Sequence, residues 1–143
     1  MNAKILIIED SKAMRESIGE TLLRSGLAAE VLQANDGLEG FKVLFKEQPD
    51  LVICDIAMPQ IDGHRFLEMR ASKEDLREIP VIMLTASEDI QSKVRALERG
   101  AVDYITKPFQ EAELLARVRV HLQMKHLQDE LRHANALLEK LAI

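Results

Sequence analysis

The sequence holds a single cysteine, Cys54, in 143 residues. No internal disulfide can form, and Cys54 lies inside an apolar run, where a thiol behaves as a small buried hydrophobe. Excess positive charge is also missing: the formal net charge is -5. A nucleic-acid-binding surface needs a basic face, so this chain is not expected to bind nucleic acid. No apolar stretch approaches the length of a membrane span. The N-terminus MNAKILIIED is neither a signal nor a transit peptide, because its apolar run is short and ends in acids. These absences place the chain in a reducing, cytoplasmic compartment with no membrane partner. What is present, a hydrophobic fraction of 47%, suffices for the core of one domain.

Short apolar or β-branched runs recur at residues 4–8, 30–33, 51–54, 81–84 and 102–105. Segments with helical spacing follow them. Residues 11–25 carry Met14, Ile18, Leu22 and Leu23, with Gly26 as a stop. Residues 38–46 carry Leu38, Phe41, Leu44 and Phe45. A third segment starts at Gly63 with Phe66, Leu67 and Met69. A fourth spans residues 87–99 with Ile90, Val94 and Leu97, and the last starts near Gln110. Strand followed by helix, five times over, implies an α/β fold with a parallel sheet covered on both faces. The first, third and fourth runs lack alternation, as central strands should. The more polar run at 30–33 belongs at an edge.

In such a sheet, ligands bind beyond the carboxyl ends of the strands. Those positions hold Glu9-Asp10, Asp55, Thr85-Ala86 and Thr106-Lys107-Pro108. Three converging carboxylates resist joint ionisation, and a hard divalent cation relieves them. Mg2+ is the expected ion, with Asp10 and Asp55 as direct ligands, Glu9 acting through water and the Ala57 carbonyl within reach. Lys107 and Thr85 would hold two further anionic oxygens. A cation, an ammonium and a hydroxyl around one carboxylate form a cage for a phosphoryl group, with Asp55 as the nucleophile.

The acidic pair Glu9-Asp10, Asp55 within DIAMPQIDG, Thr85-Ala86 and Lys107-Pro108-Phe109 stand in an order and spacing that resemble the receiver domain of two-component response regulators. The resemblance covers residues 1–122. It implies a flavodoxin-like, doubly wound five-stranded sheet of order 2-1-3-4-5. It implies Mg2+-dependent phosphoryl transfer to Asp55 from a sensor histidine kinase or phosphotransfer protein. It also implies a cis peptide before Pro108 and a switch aromatic at Tyr104, which turns inward as Thr85 moves toward the phosphoryl group. Such a domain is a phosphoacceptor and not a metabolic enzyme.

Rival readings fit less well. An aspartyl-phosphate hydrolase wants a second aspartate where Ala57 stands. A nucleotide or flavin module wants a glycine-rich loop where Glu9-Asp10-Ser11-Lys12 stands. A non-phosphorylated dimerisation platform would not need the intact acid, hydroxyl and lysine set. Ala57 and Ser87 offer little to orient an attacking water, which points to a long-lived phosphoryl state. Asp62-Gly63 reads as turn and helix-start chemistry. His64, His121, His126 and His133 lack metal-ligand spacing and read as surface residues.

From Gln110 to Ile143 there is no proline or glycine, so one continuous helix is expected. Val120, Met124, Leu127, Leu131, Ala134, Leu138 and Leu141 alternate in spacings of four and three, the seam of a coiled coil lasting about three heptads. Residues 123–143 are therefore expected to be a helical linker that pairs in a homodimer, ahead of the alternative of a helix packed back on its own domain. The tail resembles linkers that precede diguanylate cyclase or other output domains. An output domain would lie beyond this sequence, which carries no cyclase motif.

Overall fold

Five parallel strands in the order β2-β1-β3-β4-β5 form the centre of the computed structural model, which describes residues 2–86 and 90–142. The elements alternate along the chain as β1 (Ala3–Ile8), α1 (Lys12–Arg24), β2 (Ala28–Ala34), α2 (Gly37–Glu47), β3 (Leu51–Asp55), α3 (Gly63–Ala71), β4 (Val81–Ala86), α4 (Ile90–Glu98), β5 (Asp103–Lys107) and α5 (Glu111–Leu141). This is the flavodoxin-like sheet expected of the sequence. The three unalternating runs are its interior strands, and β2 lies at an edge.

Both faces of the sheet are buried, and each strand feeds two cores at once. Ile5 and Ile7 of β1 pack with Ile53, Ile82 and Leu84 against α1 and α5, through Ile18, Leu22, Leu114 and Val118. Leu6 and Ile8 pack with Val52, Cys54 and Met83 against α2 and α3, through Leu44, Phe66 and Leu67. Alternate side chains point to opposite faces, so a strand apolar at every position is what a doubly covered sheet requires. Cys54 is fully buried in the second core, and burial raises its thiol pKa well above the usual range.

Among the described residues, side-chain oxygens cap three helices. Ser11, Asp36 and Asp62 accept from the backbone N–H of Met14, Glu39 and Arg65 at 3.2, 2.8 and 2.9 Å, a standard use of these residues at a helix start. Gly26 follows α1 in the left-handed region, at φ +79°.

The apolar helix faces do not all turn inward. Leu23, Leu38 and Phe45 are exposed. On α4 the reversal is complete: Ile90, Val94 and Leu97 are 43% to 70% exposed, and Ala96 is the buried residue. α4 approaches the sheet through this small side chain. Its larger apolar residues fall on other sides of the helix and face solvent.

His64 is buried at the start of α3, and His121 is half-buried against Asp103, so neither is a surface residue. Ser87 lies outside the described residues.

α5 continues unbroken to Leu141. Leu114, Val118 and Leu122 make its buried stripe. The stripe from Val120 to Leu141 lies roughly 170° around the helix from it, by the ~100° turn per residue. Val120, Met124, Leu127, Leu131, Leu138 and Leu141 are 50% to 82% exposed, and Ala134 is exposed too. The stripe is largely open to solvent, although Met124, Leu127 and Leu131 line a cleft with Pro80 and Val102 of the domain.

Candidate functional site

Strand register brings the polar residues to one level. Ile8 pairs with Cys54, Asp55 with Leu84, and Ala86 with Lys107. Glu9, Asp55, Thr85 and Lys107 therefore lie along one rim of the sheet, at the carboxyl ends of β1, β3, β4 and β5. Rigid strands hold three of them deep: Glu9, Asp55 and Thr85 are buried, while Asp10 is exposed.

Lys107 Nζ donates to Asp55 Oδ2 at 2.8 Å and to Glu9 Oε1 at 2.9 Å. One ammonium thus holds two buried carboxylates together. Burial lowers the pKa of Lys107, but the hydrogen bonds and charges of Asp55 and Glu9 outweigh it, and the pKa ends above its ordinary value. Ser11 N–H donates to Glu9 Oε2 at 3.2 Å, and Arg15 Nη1 donates to the Glu9 carbonyl at 2.7 Å. Ala57 N–H donates to Asp55 Oδ1 at 3.4 Å.

Carboxylate oxygens of Glu9, Asp10 and Asp55 lie within 4.8 Å of one another. Asp10 has a raised pKa, through its hydrogen bond with Glu9, its partial burial and the Glu9 charge. One lysine does not neutralise this set. An all-oxygen donor set with uncompensated negative charge suits a hard cation of the Mg2+ type. Thr85 Oγ1 is buried without a hydrogen-bond partner among the described residues. Thr85 follows Leu84, the register partner of Asp55, so this donor stands on the same rim as the carboxylate.

The loop after β3 keeps Asp55 reachable. Gly63 N–H donates to the Ile56 carbonyl at 2.8 Å, closing residues 56–63, and Gln60 sits in the left-handed region at φ 64°. Gly63 does more than start a helix. A Cβ there would stand 2.7 Å from the Asp55 carbonyl oxygen and 2.8 Å from Ile56 Cα. The Lys107-Pro108 peptide is cis.

Tyr104 is half-buried on β5, and Lys93 Nζ lies 5.0 Å from its ring centroid. A motif search could not find Lys93, because its role appears only once α4 packs beside β5. A second polar group lies further along: Asp103 accepts from Arg117 Nη1 at 2.9 Å and contacts His121 Nε2 at 3.0 Å. Burial raises the pKa of Asp103, but the hydrogen bonds from His121 and Arg117 outweigh it and leave it below the ordinary value.

The family model for the response regulator receiver domain matches residues 5–119. Response regulator MprA of Mycobacterium ulcerans is 36% identical over 131 residues, which span 91% of this chain and 54% of that protein. The DNA-binding dual master transcriptional regulator RpaA of Synechocystis is 40% identical over 120 residues, 84% of this chain and 49% of that protein. The chain thus spans about half the length of these curated relatives. Among solved structures, a response regulator of Chloroflexus aurantiacus aligns with TM-score 0.78 at 34% identity, covering 86% of this chain and 99% of that one. NtrX of Brucella abortus aligns with TM-score 0.84 at 28% identity, covering 94% of this chain but 30% of that one.

Proposed function

The chain belongs to the response regulator receiver family, and from that premise we propose that it is a phosphorylation switch whose acceptor is Asp55. The observation that supports this reading is the pair of donors on the rim that holds Asp55: Lys107, already bound to it, and Thr85, buried with no partner among the described residues.

An Asp55 oxygen attacks the phosphorus of a phosphohistidine or a small acyl phosphate. The bond from phosphorus to the donor's nitrogen or oxygen breaks, and the donor leaves with that electron pair. Glu9, Asp10, Asp55 and the Ala57 carbonyl would hold Mg2+. The bound ion supplies charge neutralisation that lets an anionic donor approach an anionic acceptor. Lys107 stays at the acceptor and takes up a phosphoryl oxygen. Thr85 donates to another, which draws it from its resting position. Tyr104, on the strand that pairs with β4, follows it. Ala57 offers no polar side chain to orient a water, which favours a slow loss of the phosphoryl group. The chain is on this reading a phosphoacceptor and not a metabolic enzyme.

The exposed seam of α5 supports a homodimer. Lys125, His126, Asp129, Arg132, His133, Glu139 and Lys140 all fall away from the seam, and Glu130 is the one acid beside it. An output domain beyond the sequence would receive the signal through this helix. A histidine kinase or phosphotransfer protein is the expected donor. No helix among the described residues is long and apolar enough to cross a membrane, which agrees with a cytoplasmic site of action.

Incubation with acetyl phosphate and Mg2+ followed by intact mass measurement tests the reading. One added phosphoryl group is expected, absent in Asp55→Asn and absent without Mg2+. The same addition in Asp55→Asn would overturn the assignment of the acceptor.

A further inference from the structure

The buried stripe of α5 does not stop being useful where its apolar residues end. Beyond Leu122, the same side of the helix carries Lys125 and Arg132, by the ~100° turn per residue. Both side chains line a cleft with Gln48, Asp50, Glu74, Asp75 and Glu78. These acids precede β3 and β4, so they lie at the edge of the sheet opposite the phosphoacceptor site. Arg132 Nη2 meets Glu78 Oε2 at 2.7 Å.

The loop that presents Glu78 is itself held from inside. Arg70, near the end of α3, is 4% exposed. Its Nε donates to the Ile79 carbonyl at 3.0 Å and its Nη2 to the Arg77 carbonyl at 2.8 Å, with the Gly100 carbonyl at 3.5 Å. Burial lowers the pKa of this guanidinium. A planar fork that bonds the carbonyls on both sides of Glu78 fixes the direction in which Glu78 points. α3 in turn begins at the acceptor loop, with Asp62 as its cap and Gly63 bonded to Ile56.

We propose that the acidic underside of the domain is a docking seat for the helical extension, with Arg70 as the pin that holds the seat and Glu78–Arg132 as the latch. The seat sets the direction in which the seam faces. It also gives the acceptor loop a second mechanical link to the extension, through α3, alongside the one through Thr85 and Tyr104. The latch is partly solvated, so its strength is that of an exposed ion pair and its effect is a bias and not a lock.

Hydrogen exchange across residues 123–141 of the full chain tests this without any phosphorylation, so its failure leaves the acceptor assignment untouched. Arg132→Gln should speed exchange there by about two- to fivefold, the range an exposed pair supplies. The reversed pair, Glu78→Arg with Arg132→Glu, should restore slow exchange. The comparison is repeated in a Leu138→Glu background, where a charge in the exposed seam, away from the cleft, opposes pairing between copies. Unchanged exchange in Arg132→Gln would overturn the proposal. So would a reversed pair that stays fast while its thermal unfolding matches the wild type.

Discussion

Thr85→Val should make the resting protein more stable, against the usual direction of a substitution in a core. Thr85 is 2% exposed, and its hydroxyl finds no partner among the described residues. A buried unsatisfied hydroxyl costs ~1–3 kcal/mol. Valine keeps the branched shape and drops that cost. A gain of about 1 kcal/mol is expected once imperfect packing of the new methyl is allowed for. That gain should raise the urea midpoint by roughly 0.3–1 M and the melting temperature by roughly 3–5 °C in a chain of this size. Thr85→Ser is the control: it keeps the hydroxyl, loses a methyl and should be destabilised. In the second arm, Thr85→Val should still accept a phosphoryl group from acetyl phosphate, because Asp55 and Lys107 are intact. It should lose the change in Tyr104 that accompanies phosphorylation in the wild type, read by Tyr104 fluorescence. A Thr85→Val protein that melts below the wild type would show that the hydroxyl is satisfied at rest. An unchanged Tyr104 response would show that Thr85 does not carry the signal.

Lys107→Ala should retain Mg2+ binding, measured by calorimetry, but uncouple phosphorylation from any change in association measured by sedimentation. Gly63→Ala should cost about 2–3 kcal/mol in urea unfolding, because its Cβ meets backbone atoms that cannot move aside. The depressed pKa of Asp103 contributes stability that is present above its ordinary carboxylate range and lost as pH falls through the lowered value. Asp103→Asn should therefore flatten the acid limb of a stability–pH profile. Leu131→Glu places a charge in the exposed seam. It should shift the sedimentation of a concentrated sample to monomer without lowering the melting temperature measured at low concentration.

The site was legible because its residues are punctuation. Ile5 to Ile8, Leu51 to Cys54 and Val81 to Leu84 are apolar at every position, and a doubly covered sheet explains such runs. The first polar residue after each run is then forced to the rim, which puts Glu9, Asp55 and Thr85 together before any coordinates exist. The helix faces were harder to read. Period alone says that Ile90, Val94 and Leu97 share a side, but not that this side faces the sheet. Ala96 gives no such signal in a hydrophobic pattern, yet it is the residue on which α4 packs. His64 and Asp103 failed to stand out for a related reason. Burial and ion pairing depend on what crosses above a residue, and Arg117 and His121 reach Asp103 only because α5 returns across β5. The seam on α5 was readable because it persists beyond the length that the domain core can cover.

The two donors at the rim stand in different states at rest. Lys107 is engaged at two of its three donors: it bridges Glu9 and Asp55, and its raised pKa reflects how well that position suits a cation. Without it, two buried carboxylates would face each other unpaired, so the lysine is a structural member of the cluster before it is a ligand to anything. Thr85 is the opposite case. Its hydroxyl is buried with no partner among the described residues, so on the proposed reading the resting state carries a cost that a new acceptor at Asp55 would remove. On the proposed reading, the free energy that would reposition the rim comes in part from relieving Thr85 and not from drawing Lys107 away from its partners. On the same reading, Tyr104 would oppose that motion through its contact with Lys93, a cation–π pair worth ~0.5–1 kcal/mol. The opposing contact is smaller than the ~1–3 kcal/mol at stake in the hydroxyl, so the balance tips when Asp55 gains an oxygen to offer. Substituting Lys93 with glutamine should accordingly make the Tyr104 response begin at lower phosphorylation, and an unchanged response would mean that α4 does not restrain the ring.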